Sequence, residues 1–211
     1  MILTTSKTIF AIEKIMNALK VIFELTKFRL SFLVSFSAIF GFILASDNFY
    51  FIDLLVLGIS GYFVTASSVI NNQIIEKDLD RKMDRTKNRP LPTNRISNRV
   101  SLIVSIIFMI IGLVIMTSYF NLIAGILSLI SLILYTFIYT PLKRVGPIAV
   151  FIGAIPGALP PLIGWVAFSG EITMEAIIIF SIQFIWQFPH FWAIAWIYHD
   201  DYKKVGFKLL P

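Results

Sequence analysis

Two carboxylates able to hold a hard cation, and an Asn before them, recur at fourfold spacing in the first half of the chain. Asn72, Glu76 and Asp80 stand at i, i+4 and i+8. A helix through them would carry all three on one face, about 6 Å apart along its axis. Two carboxylates at that separation suit Mg2+, which takes oxygen ligands, keeps several waters and is commonly completed by phosphate oxygens. Arg85, Lys87 and Arg89 follow just downstream, and Arg can grip phosphate in a bidentate way. Pro90 and Pro92 then end any helix. Oxygen ligands beside cationic donors point to a diphosphate site. The same residues also suit a plainer role, a solvated helix end laced by ordinary i, i+4 ion pairs.

The elements that must position these groups are membrane spans. Of 211 residues, 57% are hydrophobic and 14% charged, against about 25% charged in a soluble domain. Such a composition excludes intrinsic disorder. The lack of Cys excludes a disulfide scaffold, a thiolate metal site and a Cys nucleophile. Neither a P-loop, a Ser-His-Asp constellation nor a nucleic-acid module is recognisable, so no nucleic-acid partner is expected despite the net charge of +6. A span needs about 20 mostly apolar residues. Six stretches qualify: 28–46, 50–70, 100–118, 121–141, 147–168 and 174–197. The expected fold class is therefore all-α, a polytopic transmembrane helix bundle of one domain over 1–211, with the lipid bilayer as its surroundings.

All 18 Lys and Arg residues fall in four segments. They are the lead up to Arg29, the stretch Lys77 to Arg99, the pair Lys143 and Arg144, and the tail with Lys203, Lys204 and Lys208. The loops after spans 1, 3 and 5 carry none. The positive-inside rule then predicts a cytoplasmic lead over 1–27, both termini in the cytoplasm and the acidic cluster on that same side. One Arg and two acids in the first 29 residues fit poorly with a mitochondrial transit peptide, and a bacterial cytoplasmic (inner) membrane is the expected location.

Further polar residues gather on the predicted cytoplasmic side. Lys143 and Arg144 would complement the acidic cluster as phosphate ligands, or serve only as topology markers. Asp200 and Asp201 follow span 6 and read either as further Mg2+ ligands or as a hydrated helix terminus. His190, preceded by Pro189, falls within span 6, where an ionisable residue usually lines a cavity. It could bind a ligand lodged in such a cavity, or cap carbonyls freed by the proline.

The segment from Asn72 to Asp80, closed by Arg85-Thr86-Lys87-Asn88-Arg89-Pro90-Leu91-Pro92, resembles the first aspartate-rich motif of the UbiA-type intramembrane prenyltransferases. The resemblance is closest to the protohaem IX farnesyltransferases, and further motifs carry it in order. They are Tyr139-Thr140-Pro141-Leu142-Lys143-Arg144, the run Gly153, Gly157-Ala158, Pro160-Pro161 and Gly164-Trp165, then Trp186-Gln187-Phe188-Pro189-His190-Phe191-Trp192, and finally Tyr198-His199-Asp200-Asp201-Tyr202. Glu76 departs from the family's usual Asp but keeps the carboxylate, and Ala149 replaces a usual Asn.

The resemblance implies transfer of a farnesyl group from farnesyl diphosphate to a vinyl group of haem B, with Mg2+ as cofactor. Asn72, Glu76 and Asp80 would be catalytic, and Arg85, Lys87, Arg89, Lys143, Arg144 and His190 would bind substrate. Glu76, Asp80, Asp200 and Asp201 would be the metal ligands. It further implies downstream partners among haem A or terminal oxidase assembly proteins. The family continues for about three more helices, so the chain is expected to lack them. Prenylation of an aromatic quinone precursor is the alternative within the superfamily, and a non-catalytic transporter or haem-handling protein the alternative outside it.

Overall fold

The computed structural model describes residues 2–211, with side chains described from Ile12 onward. Among the described residues six helical segments are long and apolar enough to cross a membrane. The lead forms helix α1 (Ile2–Leu25). The spans are α2 (Phe28–Ala45), α3 (Phe51–Ile75), α5 (Asn98–Ile115) extended by a π-helical turn to Phe120, α6 (Leu122–Ile133) extended by a second π-helical turn (Leu134–Tyr139), α8 (Ile148–Ser169) and α9 (Met174–Ile197). Short helices α4 (Lys77–Asp80), α7 (Thr140–Leu142) and α10 (His199–Val205) follow α3, the second π-turn and α9. The described residues contain no strand, and the chain is an integral membrane protein.

Polar residues mark where spans begin and end. The side chains of Ser97, Asn121 and Thr173 accept hydrogen bonds from the backbone N–H groups of Val100, Ala124 and Ala176 and so cap α5, α6 and α9. At the other ends, Gly170 after α8 and Gly206 after α10 adopt the left-handed conformation that closes a helix. Helix α3 runs past residue 70, where its apolar stretch ends. Asn72 and Gln73 beyond that point are buried, and their amide nitrogens are engaged: Asn72 donates to Thr140, and Gln73 to two carbonyls.

Helix α8 runs through the centre and α2 crosses it at backbone contact. A Cβ on Gly164 would overlap the Ala38 carbonyl, and one on Gly41 would overlap the Pro161 carbonyl. Small residues permit this approach where lipid supplies no hydrophobic drive between helices, and dispersion then holds them. Ala38, Phe42, Leu159, Leu162, Ile163 and Val166 pack around the crossing. Helices α3 and α5 meet along a second small-residue seam, where Gly112 lies under Val64 and Ser67 shares a 3.0 Å hydrogen bond with Ser105. The outer faces carry exposed Ile, Leu and Phe from every span, the surface a bilayer would cover.

Replacement of Gly164 by Leu should break the α2–α8 crossing, because its new Cβ meets backbone that cannot rotate away. Thermal unfolding in detergent is expected to show a loss of about 1–3 kcal/mol or more. A variant as stable as the parent would show that the two helices can part without penalty.

Candidate active site

Helix α3 carries its acidic face into one end of the bundle. The helical register survives the join between α3 and α4, because Glu76 N–H donates to Asn72 O at 2.9 Å and Asp80 N–H to Glu76 O at 2.8 Å. Asn72, Glu76 and Asp80 are thus stacked on one face, each at most 5% exposed. Beyond Asp80 a chain of turns folds back on the helix end. Thr86 Oγ1 donates to Asp80 O at 2.8 Å, and Arg81 Nε to Pro92 O at 3.0 Å. Met83 and Leu91 are buried beneath this loop.

The fold-back returns a cation to each carboxylate. Arg89 Nη1 donates to both oxygens of Asp80, at 3.0 and 2.8 Å. Lys143, at the end of α7, donates to Glu76 Oε1 at 2.9 Å. Burial works against the charge of Lys143, but the Glu76 carboxylate beside it outweighs that effect and raises its pKa. Asn72 joins the same two elements one turn deeper: its Nδ2 donates to Thr140 Oγ1 at 3.1 Å, and Thr140 donates in turn to Tyr135 O.

Between these groups lies a cavity of about 160 Å3. Its wall includes Glu76 and Asp80, the four cations Lys27, Arg85, Arg89 and Lys143, and the aromatic residues Tyr135, Tyr139, Phe191, Tyr202 and Phe207. Four cations against two carboxylates leave two positive charges in surplus when all are protonated, a fit for a polyanion. Sites for whole drug-sized ligands span about 300–1,000 Å3, so this one matches a headgroup. The π-helical turn Leu134–Tyr139 presents Tyr135 and Tyr139 to the cavity together, and such turns frequently occur at functional sites.

The other expected residues lie elsewhere. Asn72 sits behind the wall. Asp201 is buried, and its carboxylate accepts the backbone N–H groups of Asp84 at 3.0 Å and Arg85 at 3.1 Å, with Lys204 Nζ at 3.0 Å. It therefore clamps α10 to the loop that carries Arg85, whose guanidinium lies 4.6 Å from the Tyr198 ring centre. Asp200, Lys87 and Arg144 are exposed and outside the cavity wall, and Lys87 pairs with Asp84 at 2.6 Å. His190 is exposed and outside the cavity wall, its ring stacked 4.9 Å from Trp186. Sequence reasoning left Lys27, Tyr135, Tyr202 and Phe207 without a role. The first is legible in the sequence only as one of the positive charges that set topology.

No group of three or more His, Cys, Asp or Glu close enough to hold a metal occurs among the described residues. Mg2+ does not need one, since it binds through one or two carboxylates, waters and phosphate oxygens. Glu76 and Asp80, one helical turn apart on the cavity wall, could supply that donor set.

Comparison with known proteins matches residues 34–211 to the UbiA prenyltransferase family. The chain belongs to that family. It is 54% identical over 190 residues to a protoheme IX farnesyltransferase of Cytophaga hutchinsonii, covering 90% of this chain and 66% of the relative. A protoheme IX farnesyltransferase of Christiangramia forsetii is 48% identical, with 89% and 62% covered. The chain thus spans just under two thirds of the length of these relatives. Among solved structures, that of a digeranylgeranylglyceryl phosphate synthase superposes with a TM-score of 0.77 at 25% identity, covering 92% of this chain and 68% of that one. The UbiA homologue of Archaeoglobus fulgidus bound to DMAPP and Mg2+ superposes with a TM-score of 0.69 at 22% identity, covering 89% and 67%, and shares the fold.

The clamp between α10 and the loop of this UbiA-family chain should respond to acid. Hydrogen bonds from Lys204 and then Lys87 hold Asp84 at about 2, below its ordinary 3.8. The backbone N–H groups of Arg85 and Asp84, followed by Lys204, lower Asp201 as well. Both folded values are depressed, so the stabilisation is fully present above the unfolded carboxylate range and is lost as pH falls through it toward about 2. Hydrogen exchange at the Asp84 and Arg85 amides, corrected for intrinsic rates, should stay slow from about pH 7 to 5 and quicken below about pH 3. Asp201→Ala should make both amides exchange fast at neutral pH, and unchanged protection in that variant would remove the clamp.

Proposed function

We propose that this chain transfers the farnesyl group of farnesyl diphosphate to a vinyl group of haem B, giving haem O and diphosphate. The observation that carries the reading is the convergence of Glu76 and Asp80 with Arg85, Arg89, Lys27 and Lys143 in one headgroup-sized cavity. Support comes from relatives named protoheme IX farnesyltransferase at 48–54% identity. In the reaction the bond between farnesyl C1 and the diphosphate oxygen breaks, C1 bonds to the terminal vinyl carbon, and water supplies a hydroxyl to the neighbouring carbon and releases a proton.

Glu76 and Asp80 would hold Mg2+, with Asn72 fixing the register of the helix that carries them. When bound, Mg2+ supplies charge neutralisation to the departing diphosphate. Arg85, Arg89 and Lys143 donate to the phosphate oxygens as negative charge collects there, which is where fixed donors lower a barrier most. Tyr135, Tyr139 and Phe191 line the inner wall and keep bulk water from the allylic cation. Lys87 and Arg144, exposed next in sequence to groups of the charged end, would favour the approach of the anion by their charge. Glu76 and Asp80 line the cavity whereas Asp200 and Asp201 do not, so the metal is assigned to the first motif. His190 beside Trp186 is open to a porphyrin arriving along α9, as an iron ligand or a propionate partner. The reading places the protein in a bacterial inner membrane with its charged end cytoplasmic, upstream of haem A or terminal oxidase assembly.

The protein reconstituted in lipid vesicles with farnesyl diphosphate, haem B and Mg2+ should form haem O. Asp80→Asn should lower the rate about 100-fold or more, because it weakens the metal site and leaves Arg89 without its counter-charge, while insertion is retained. Haem O formation by Asp80→Asn at the parent rate would remove the assigned site. Product from 4-hydroxybenzoate but not from haem B would move the acceptor to the quinone-precursor class.

A further inference from the structure

Five large apolar residues of α1 lie along one face, uncovered by any described residue. Ile12, Ile15, Met16, Leu19 and Phe23 stand at i, i+3, i+4, i+7 and i+11, the spacing of a single helix stripe. Each is 55–61% exposed. Glu13, Asn17, Lys20 and Glu24 form a separate polar face of the same helix. A seventh span is excluded, because Glu13, Lys14, Lys20 and Glu24 put too many charges into the helix for hydrocarbon. A continuous apolar stripe rimmed by polar residues marks an interaction surface.

The last turn of α1 fixes where that stripe points. From Val21 onward the helix sinks into the bundle, and Leu25 is fully buried. The chain then bends at Lys27, with φ 45° and ψ 58°. Helix α3 holds the bend: Gln73 Nε2 donates to Leu25 O at 2.6 Å, and Tyr62 OH to Thr26 Oγ1 at 2.9 Å. Ser31 Oγ of α2 donates to Thr26 O at 2.7 Å. On the polar face, Glu24 accepts Arg95 Nη2 at 2.6 Å, which ties that face to the fold-back loop. The apolar stripe runs instead into the outer face of α2. The Phe23 ring stacks on Phe28 with centres 4.1 Å apart, and Phe28 on Phe32 with centres 6.0 Å apart. Phe32, Phe36 and Phe40, successive turns of α2, continue along the exposed surface that a bilayer would cover.

We propose that α1 lies in the plane of the membrane surface at the charged end of the bundle. Ile12, Ile15, Met16, Leu19 and Phe23 then sit among lipid headgroups and the upper acyl chains. Lipid is the occupant because the stripe and the outer side of α2 form one apolar surface, joined through Phe23, Phe28 and Phe32. In-plane helices of this kind bury their apolar face about 5–10 Å deep. Two lysines against two acids between Glu13 and Glu24 leave no net charge. Apolar burial therefore drives the contact, and anionic lipid is not required. Neither the placement nor its test depends on the diphosphate reading of the cavity.

The chain contains no Cys, so single cysteines can carry an environment-sensitive fluorophore in the full protein, reconstituted in phosphatidylcholine vesicles. One set of labels goes on the stripe, in Ile12→Cys, Met16→Cys and Leu19→Cys. The other goes on the polar face, in Glu13→Cys, Asn17→Cys and Lys20→Cys. Lipids brominated near the headgroup end of the acyl chain should quench the stripe labels at least about twofold more than the polar-face labels. Iodide in the water should give the opposite order. Ile15→Asp combined with Leu19→Asp should abolish the bromolipid quenching at positions 12 and 16. Thermal stability of the bundle should be kept in that variant, because α1 is exposed on all sides from Ile12 to Lys20. Equal quenching by iodide at all six positions would leave α1 in water and overturn the proposal. Stripe labels shielded from iodide yet untouched by brominated lipid would assign the stripe to a protein, such as a second copy of this chain, and overturn it as well. Bromolipid quenching that survives the double Asp variant would rule out apolar burial as what seats the helix.

Discussion

The structure depends on burying paired charge at one end of a helix bundle. Asp80 is fully buried and Glu76 nearly so, and leaving a buried carboxylate without its partner costs about 3–5 kcal/mol, a large share of a protein's margin of stability. Arg89 and Lys143 meet that demand from different parts of the chain. The two pairs therefore dictate that the loop after α3 must fold back and that α7 must end beside α3. Pairs of this kind contribute little net stability against an apolar alternative. What they provide is a set of charged groups already desolvated and fixed, the condition under which electrostatic catalysis is strongest.

Each wall of the cavity is held by a polar contact of its own. The α3 face is tied to the second π-turn through Asn72, Thr140 and Tyr135. The loop is tied to α10 through Asp201, which takes two backbone N–H groups, and α10 ends at Gly206, whose left-handed turn sends Phe207 and Leu209 back to the cavity. The Lys208 N–H donates to Lys143 O at 2.7 Å, so the segment that closes the wall also fixes the lysine that holds Glu76. Far from the charges, the α2–α8 crossing at Gly41 and Gly164 sets the spacing of the bundle. Close backbone approach there brings the α1–α2 junction, with Lys27, to the end of α3.

Much of this was legible in the amino-acid sequence, for identifiable reasons. The six spans follow from length and hydropathy, because hydrocarbon tolerates only helices whose backbone groups are satisfied internally. The gathering of the cationic segments follows from the segregation of all 18 Lys and Arg residues. The shared face of Asn72, Glu76 and Asp80 follows from helical periodicity alone, which requires no knowledge of neighbours. Span ends were less legible. Helix α3 runs on to Ile75 with partners from elsewhere accepting from the amide nitrogens of Asn72 and Gln73, and hydropathy does not see partners.

Local periodicity and composition thus determined the fold class, the common end of the charged segments and the first acidic motif, since each depends on residues near one another in the chain. Tertiary structure decided which of the many cations and acids face the cavity. Lys27 and Arg29 are two residues apart and look alike to any topology rule, yet a left-handed turn held by α3 places only Lys27 on the cavity wall. Asp200 and Asp201 are adjacent, yet one is exposed while the other binds two backbone amides more than 100 residues away. His190 stands one helical turn before Ile194, which lines the cavity, yet its ring is exposed and stacks on Trp186 instead. Sequence spacing specifies which residues share a helix face. What that face meets depends on how the helices pack, a matter of contacts between residues far apart in the chain.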